Sequence, residues 1–314
     1  MARYIGRRLI QTVVVLLIVS VVSFLLLHIA PGDPAATMLG NEASKEQVDA
    51  LRKELWLDRP AVVQFAHWLS RALHGDLGKS IMYGDPVIEI FAARLPVTLC
   101  LSLAAFVLST FLGIIAGIIC AVRRGGFLDQ TISVLASMGI AIPVFWLGIV
   151  GIYLFGMKLG WLPIQGWTSP FDDFQASLKH MVMPVILLAV PGIAVLARLT
   201  RSSMLEVLHQ DYIRTAFSKG LSKRVVVLRH AFRNTLVPVV TLLGLQVRIL
   251  VGGSVLVETV FNIPGMGRLL VAGAFSKDFL VVQGGVLLIG AIVCLANLVV
   301  DLSYGWLDPR FRYE

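Results

Sequence analysis

Long uninterrupted apolar runs dominate the pattern along this chain. The first extends from Leu9 to Ala30, and five more cover residues 97–122, 132–156, 181–199, 236–257 and 280–304. At 1.5 Å per residue, a helix of about 20 residues matches the ~30 Å hydrocarbon core of a bilayer. The pattern therefore predicts an all-α polytopic membrane protein with six transmembrane helices.

Composition excludes a soluble enzyme. Of the 314 residues, 57% are hydrophobic and only 15% are charged, which is more apolar surface than a soluble domain of this size can bury. The three cysteines, Cys100, Cys120 and Cys294, all lie within apolar runs, where a thiol behaves as a small hydrophobic group. We therefore expect neither a disulfide framework nor a metal site.

The first apolar run predicts a retained anchor. It has 22 residues and is followed by Pro31-Gly32-Asp33-Pro34. A secretory signal has an apolar core of about 7 to 15 residues and ends at a small-residue cleavage site. Neither feature is present, so we interpret this run as the first membrane span.

The distribution of Lys and Arg predicts the orientation. Three lie before the first span, two after the second, eight between Arg198 and Arg233, and two in the tail, which makes fifteen on one side of the membrane. The two short opposite loops carry four. Positively charged loops stay in the cytoplasm, so we expect both termini to be cytoplasmic.

This orientation divides the chain into three parts. Residues 1–30 form the N-terminal end and first span, residues 31–96 an external cap segment, and residues 97–314 a five-helix core. The cap is long enough for its own helices, one of them from Lys45 to Leu55 after the N-cap candidate Ser44. The core includes a cytoplasmic loop, 200–235.

The sequence contains no recognisable catalytic motif. Gly78-Lys79-Ser80 looks like the end of a phosphate-binding loop, but position 73, where that motif needs a glycine, holds Leu73. HExxH and GxSxG motifs are absent. We therefore expect a non-catalytic chain that binds no cofactor and no metal, with any energy source on another chain.

The loop between the fourth and fifth spans predicts two short helices. Asp211 is placed to cap the first, Tyr212 to Lys219, which would end at Gly220; Ser222 is placed to cap the second, Lys223 to about Asn234. Residues 213, 216 and 217 give the first helix an apolar face. Such a basic loop could bind one of three partners: anionic lipid headgroups, a groove in a cytoplasmic protein, or DNA. DNA is the weakest of these alternatives, because a loop fixed at both ends by membrane spans is a poor DNA reader.

The same loop resembles the coupling loop of ABC-importer permeases. That loop has the pattern Glu-Ala-Ala, three residues, then Gly; Ala216 and Gly220 match it, while Arg214 and Thr215 depart from it. The strings RTAFSKG and RHAFRNTLVP are similar to the peptide and nickel branch of these permeases. Further matching strings are APGDP at 30–34, LDRP at 57–60, GDLGKS at 75–80, FNIPGMGRLL at 261–270 and LDPRFRY at 307–313.

This resemblance covers nearly the whole chain and implies a complete set of partners. They are a second homologous permease subunit, two cytoplasmic ATPase subunits that bind ATP and Mg²⁺, an extracytoplasmic solute-binding protein and the lipid bilayer, but no nucleic acid. The implied cargo is a dipeptide or oligopeptide, with glutathione or nickel as alternatives. The residues implied to contact the ATPase are Asp211, Tyr212, Arg214, Thr215, Ala216, Phe217, Gly220 and Leu221.

A second set of candidates lies inside the fifth span. Arg248 is costly within a bilayer unless it faces protein or water, so it either pairs with an acid such as Glu258 or Asp301 or lines the translocation pathway. Gly252 and Gly253, like Gly113 and Gly117 in the second span, favour close helix packing or a hinge. Together with Glu258, these residues of the fifth span are the candidates for the translocation pathway: Arg248, Gly252, Gly253 and Glu258.

The rival class is an ATP-independent channel or secondary carrier. Secondary carriers often contain inverted repeats and interrupted helices with acidic residues inside the membrane. The sequence has no convincing repeat and few acids within its apolar runs. It therefore favours the ATP-driven permease.

Overall fold

The computed structural model describes residues 2–29, 33–40 and 43–307, and these residues are almost entirely helical. The first six helices are α1 (Ala2–Ile29), α2 (Pro34–Leu39), α3 (Lys45–Glu54), α4 (Ala61–Leu73), α5 (Val87–Val122) and α6 (Phe127–Ala141). Seven follow: α7 (Val144–Gly151), α8 (Phe174–Leu208), α9 (Asp211–Ser218), α10 (Lys223–Val225), α11 (Phe232–Val260), α12 (Met266–Phe275) and α13 (Phe279–Leu307).

Within the described part of the chain, five continuous helical segments are long and apolar enough to cross a membrane, and α6 with the helical segment Val144–Lys158 provides a sixth region. They correspond to the six predicted runs. The observed helices extend beyond the apolar runs: the second begins at Val87 rather than Val97 and contains Pro96, and the fourth contains Pro184 and Pro191. Proline is tolerated in membrane helices when neighbouring groups satisfy the freed backbone carbonyls.

The third run does not form the single helix that its length predicts. The axes of Phe127–Ala141 and Val144–Lys158 differ by 103°. Ile142 is extended, with φ −83° and ψ 127°, because a residue before proline avoids the helical region, and Pro143 then starts α7. The helix continues beyond α7 as a π-helix, Ile152–Lys158. The prediction of one straight helix over 132–156 is therefore wrong.

The backbone forms two compact units, and the first comprises Leu99–Ile263 and the described residues 299–307. Within it, α6 and α11 pack along α8. Where α5 meets α8, a Cβ added to Gly113 would lie 2.6 Å from Leu196 Cβ, and one added to Gly117 would lie 2.5 Å from Thr200 Cβ. The interpretation of this glycine spacing as a close helix contact is confirmed.

The second unit comprises Ala2–Thr98 and Pro264–Leu298. Its α1 packs against α13, where Ser23 Oγ donates to the carbonyl of Gln283 at 2.5 Å, and against α4, where Phe24 meets Phe65 edge-on at 5.5 Å. A buried apolar core joins α2, α5, α12 and α13. It contains Met38, Leu77, Val87, Ile90, Phe91, Met266, Leu269, Leu280 and Val281.

Ser44 caps the N-terminus of α3, as the sequence predicts. Ser44 Oγ accepts from the backbone N–H of Gln47, and the Gln47 side chain accepts from the backbone N–H of Ser44. This reciprocal capping box satisfies two backbone donors at the start of a helix. The predicted helix after Ser44 is therefore confirmed, and it ends at Glu54.

An exposed ion pair closes the turn after α4. Arg71 Nε donates to Asp76 Oδ2 at 2.8 Å, and the N–H of Gly78 donates to Asp76 Oδ1 at 3.0 Å. Both contacts favour the ionised carboxyl, so they hold the pKa of Asp76 below its usual range. The stabilisation they supply is present above the unfolded-state pKa and is lost as the pH falls through the lowered one.

The residues that imitate a phosphate-binding loop have a structural role instead. Ser80 Oγ donates to Asp278 Oδ2 at 2.5 Å, and the backbone N–H of Met82 donates to the same oxygen at 3.2 Å. Ser80 and Asp278 are both 2% exposed. Gly78 has φ +86°, a conformation that favours glycine, and its position lies against Leu280. The motif thus joins the 75–86 loop to the start of α13.

We expect Asp278→Ala to destabilise the fold by about 2–3 kcal/mol, because it leaves the buried Ser80 hydroxyl and the Met82 N–H without an acceptor. The measurement is thermal unfolding of the purified chain followed by tryptophan fluorescence. Lys79→Ala is the matched control, since Lys79 is exposed and adjoins the same motif. Equal unfolding temperatures for the two variants would contradict this role.

Candidate functional site

The predicted coupling segment contains a short amphipathic helix, α9, between α8 and α10. Gln210 occupies its N-cap position without a side-chain hydrogen bond, and Asp211 is the first helical residue. The prediction that Asp211 caps this helix is therefore wrong by one position. The helix ends as expected before Gly220, which has φ +77°.

One face of α9 is buried within the first unit. Ile213 is 1% and Ala216 is 5% exposed. They pack in an apolar cluster with residues at the ends of α5 and α8 and at the start of the helix that becomes α11. The other members are Ala121, Met204, Val226, Val227 and Ala231. α9 therefore shares one apolar core with the ends of three membrane helices.

Exposed apolar side chains flank the buried face of α9. Tyr212 is 43% exposed, Phe217 45%, and Leu221, just beyond the helix, 37%. Of the three residues predicted to form the apolar face of this helix, Ile213 and Ala216 are buried and Phe217 is exposed. We call Tyr212, Phe217 and Leu221 the apolar knob. Apolar side chains that stay exposed beside the buried face of a helix are typical of a protein contact surface.

Polar contacts hold the knob in place. Asn234 Nδ2 donates to Tyr212 Oη at 2.6 Å, which joins α9 to the first turns of α11. Asp211 and Arg214 form an exposed ion pair at 3.6 Å, and Thr215 Oγ1 donates to the carbonyl of Asp211 at 3.1 Å. An exposed pair of this kind adds little stability, so both charges are available to a partner.

The second helix of the segment differs from the prediction. Helical structure begins at Lys223, passes through a π-helix at Val226–Ala231 and continues as α11 to Val260, with Pro238 inside it. Ser222 occupies the N-cap position but makes no side-chain capping bond. The prediction of a separate helix ending near Asn234 is wrong, because Pro238 does not interrupt the helix.

A buried ion pair near this segment was not predicted from the sequence. Asp129, 4% exposed, lies in the first turn of α6, and Arg201 of α8 donates to it with Nε at 2.6 Å and Nη2 at 2.9 Å. The N–H of Gly125 donates to the same carboxylate at 2.9 Å. The pair fixes the turn after α5 to α8. Its only signal in the sequence is an acid just before an apolar run.

We expect Asp129→Ala to cost about 2 kcal/mol of stability, less than for a fully buried pair, because the Arg201 side chain is 33% exposed and regains some water. Thermal unfolding in detergent measures this. Asp211→Ala, which removes an exposed pair, should leave the unfolding temperature unchanged. The same loss in both variants would argue against a structural role for the buried pair.

Two family models cover most of the chain. The model described as a binding-protein-dependent transport system inner membrane component matches residues 113–313, and the model of the N-terminal part of such components matches residues 1–102. The chain belongs to this family. The permease is therefore a multi-pass inner membrane protein, and the binding protein of its system is a separate component.

Curated relatives match the permease from end to end. A probable peptide ABC transporter permease of Sinorhizobium fredii is 43% identical over 313 residues, and a putative peptide transport system permease of Brucella abortus is 44% identical over 314. The glutathione transport system permease GsiC of Escherichia coli is 42% identical over 314. All three alignments cover 100% of both chains. The permease is thus a non-catalytic ABC transporter subunit whose ATPase is a separate partner.

Solved structures show the same fold. A chain of the MetNI methionine ABC transporter, in an inward-facing conformation, superposes with a TM-score of 0.56 at 18% identity. The match covers 70% of the permease and 97% of that chain. The helical core of the permease therefore has the fold of an ABC transporter membrane subunit.

Three of the predicted pathway residues, Gly252, Gly253 and Glu258, are described by the structure, and their surroundings differ. A cavity of about 100 Å³ borders Gly253, whereas Gly252 has no heavy atom within 4 Å of an added Cβ. Glu258 is fully buried, and its carbonyl accepts from the N–H of Ile263 at 2.8 Å. The side chains of Arg248 and Asp301 lie outside the described residues.

A polar contact in the core of the first unit was also missed. Gln246 Nε2 donates to Ser109 Oγ at 2.6 Å, which joins α11 to α5. A Cβ added to Gly192 of α8 would lie only 2.0 Å from Gln246 Nε2. Three membrane helices therefore meet at this point, and the glycine at 192 leaves room for the amide in its observed position. The signal in the sequence was a glutamine inside an apolar run.

Proposed function

We propose that this chain is one of two homologous membrane subunits of an ATP-driven peptide importer. The observation that carries the proposal is its end-to-end identity of 43 to 44% with chains described as peptide permeases. Glutathione, the cargo in the name of the GsiC relative, is itself a small peptide, which supports the same class of substrate. Nickel is a weaker candidate, because the described residues contain no group of three or more metal-binding side chains.

We place the apolar knob of α9 in a groove of a cytoplasmic ATPase subunit. An amphipathic helix that presents aromatic anchors to a groove is a common mode of protein recognition. The exposed Tyr212 and Phe217 provide the anchors, and the charges of Asp211 and Arg214 surround them. When ATP closes the paired ATPases, the knob moves with them and shifts the ends of α5, α8 and α11 through the shared core.

The proposal also assigns the remaining parts of the chain. Both termini and the 200–235 loop lie in the cytoplasm, in line with the positive-inside count, and α2 to α4 form an external cap that a solute-binding protein approaches. The assembly contains this chain, a second homologous permease and two ATPase subunits that bind ATP and Mg²⁺. Selection among peptides rests mainly on the solute-binding protein.

The assembled importer in proteoliposomes tests this function. ATP-dependent uptake of a labelled dipeptide or oligopeptide, delivered by its solute-binding protein, is the expected result, and glutathione and Ni²⁺ are the competing cargoes. Uptake of Ni²⁺ alone would overturn the peptide assignment. Uptake by the isolated chain without ATPase subunits would overturn the ATP-driven mechanism.

Labelling of a cysteine at position 220 tests the orientation independently. Gly220→Ser serves as the unlabelled control, and Cys100, Cys120 and Cys294 are first replaced by alanine so that only the new thiol reacts. We expect a membrane-impermeant maleimide to react with Gly220→Cys in inverted vesicles and not in intact cells. Reaction in intact cells would place the loop outside and exclude contact with a cytoplasmic ATPase.

A further inference from the structure

Two cavities adjoin in the groove between α6 and α8 of the first unit. The polar cavity has a volume of about 190 Å³, and its lining includes Ser133, Ser137, Arg198 and Arg201. The apolar cavity has a volume of about 410 Å³, and its lining includes Leu135, Leu147, Leu187 and Val190. Both cavities border Ile132, Ala136 and Ala197, so they form one groove with a polar end and an apolar end.

The polar end is cationic. Its lining includes two guanidinium groups and no carboxylate. Arg201 uses Nε and Nη2 to bind Asp129, and its Nη1 bonds none of the described residues. Arg198 is exposed one turn earlier on α8. Two arginines beside the hydroxyl groups of Ser133 and Ser137 match a phosphate group in charge and in donors.

The bend in the third run creates the apolar end. Because the chain turns away at Pro143, α6 stops beside the middle of α8, and Ile142 and Leu147 line the space that remains. At about 410 Å³ the cavity is within the usual range of sites for small molecules. Its lining consists of apolar side chains and a glycine, which suits a hydrocarbon chain.

The length of the groove matches one leaflet of a bilayer. Its lining on α8 extends from Leu187 to Arg201, which is about 21 Å at 1.5 Å per residue. Half of a bilayer that measures about 40–45 Å with its headgroups is about 20–22 Å. Basic residues at the headgroup level with an apolar cavity toward the midplane follow the depth profile of a phospholipid.

We propose that this groove binds one anionic phospholipid, with its phosphate between Arg198 and Arg201 and one acyl chain in the apolar cavity. A soluble anion would occupy only the polar end, and an apolar helix of a neighbouring subunit would leave Arg198 without an acceptor. The groove contains no residue of the apolar knob, and a lipid bound there makes the packing of α6 on α8 depend on membrane composition.

Native mass spectrometry of the purified full-length chain tests the proposal. The probes are dioleoylphosphatidylglycerol, dioleoylphosphatidylcholine and inorganic phosphate. We expect one saturable site for the phosphatidylglycerol, about five-fold weaker binding of the zwitterionic lipid, and no competition by inorganic phosphate at equal concentration. Equal binding of the two lipids, or effective competition by phosphate, would overturn the assignment.

Matched variants locate the site. Arg198→Gln should weaken phosphatidylglycerol binding about five-fold. Arg123→Gln removes an exposed charge at the same end of the helices but outside the groove, and should leave binding unchanged. Ala136→Phe, which fills the junction of the two cavities and keeps every charge, should abolish the saturable site. Equal effects of the two arginine variants, or full binding by Ala136→Phe, would refute the location.

The assembled importer provides the last test. The lipid should stay bound when the chain is purified with its partner subunits. Release of the lipid on assembly would show that a neighbouring subunit occupies the groove, and the proposal would then be wrong.

Discussion

Phe217→Asp should abolish peptide-stimulated ATP hydrolysis and uptake while the subunit remains inserted and folded. Phe217 is 45% exposed, so the substitution costs the fold little, but it places a charge in the proposed apolar contact with the ATPase. Loss of an aromatic anchor typically costs about 2 kcal/mol or more, which is a change of about 30-fold in the contact equilibrium. ATP hydrolysis by the reconstituted importer, with and without loaded binding protein, measures the effect.

Phe171→Asp is the matched control for this experiment. Phe171 is 99% exposed and lies in the loop before α8, far along the chain from the knob. The same chemical change there should leave coupling intact, and Phe217→Leu should retain most of it. Full stimulation of ATP hydrolysis in Phe217→Asp would exclude the knob as the coupling contact.

Gly117→Leu should prevent stable packing of α5 on α8. Even a Cβ at this position would lie 2.7 Å from the carbonyl oxygen of Ala197, which is backbone and cannot move aside alone. Overpacking of a close contact usually costs about 1–3 kcal/mol, and a leucine adds three more carbons, so we expect the upper end or beyond. The expected result is a large fall in the unfolding temperature and in the yield of folded protein.

The loss of stability in Gly117→Leu must come from the contact between α5 and α8 rather than from a change in helix propensity. Gly6→Leu tests this, because Gly6 also lies within a membrane-spanning helix and has no heavy atom within 4 Å of an added Cβ. It should unfold at the wild-type temperature or slightly above. A similar loss in the two variants would show that α5 and α8 do not approach each other at Gly117.

Local chemistry explains which parts of the fold were predictable. The six apolar regions follow from the length of each run, the start of α3 follows from Ser44 and Gln47, and Gly220 ends α9 in the expected conformation. Each of these sequence signals lies within a few residues of the structural feature that it predicts. The bend at Pro143 could not be predicted, because a proline alone does not indicate a break in this chain. Proline also lies inside α5, α8 and α11, and these helices continue through it.

The remaining contacts depend on residues that are distant in the sequence. Ser80 and Asp278 are 198 positions apart, and Asp129 and Arg201 are 72 apart. Their pairing depends on how helices pack, which apolar periodicity does not specify. The resemblance placed Tyr212, Phe217 and Leu221 among the residues that contact the ATPase. The folded chain adds that these three side chains are exposed, whereas Ala216 of the same set is buried.

The bend in the third run also has a consequence for the surrounding membrane. The 15 residues of α6 give a straight segment of about 22 Å, whereas the hydrocarbon core of an average bilayer is ~30 Å thick. A short segment is accommodated by local thinning of the bilayer, at a cost of fractions of a kcal/mol per ångström of mismatch. Beside this helix the permease should prefer lipids with short tails, and its turnover should fall as tails lengthen.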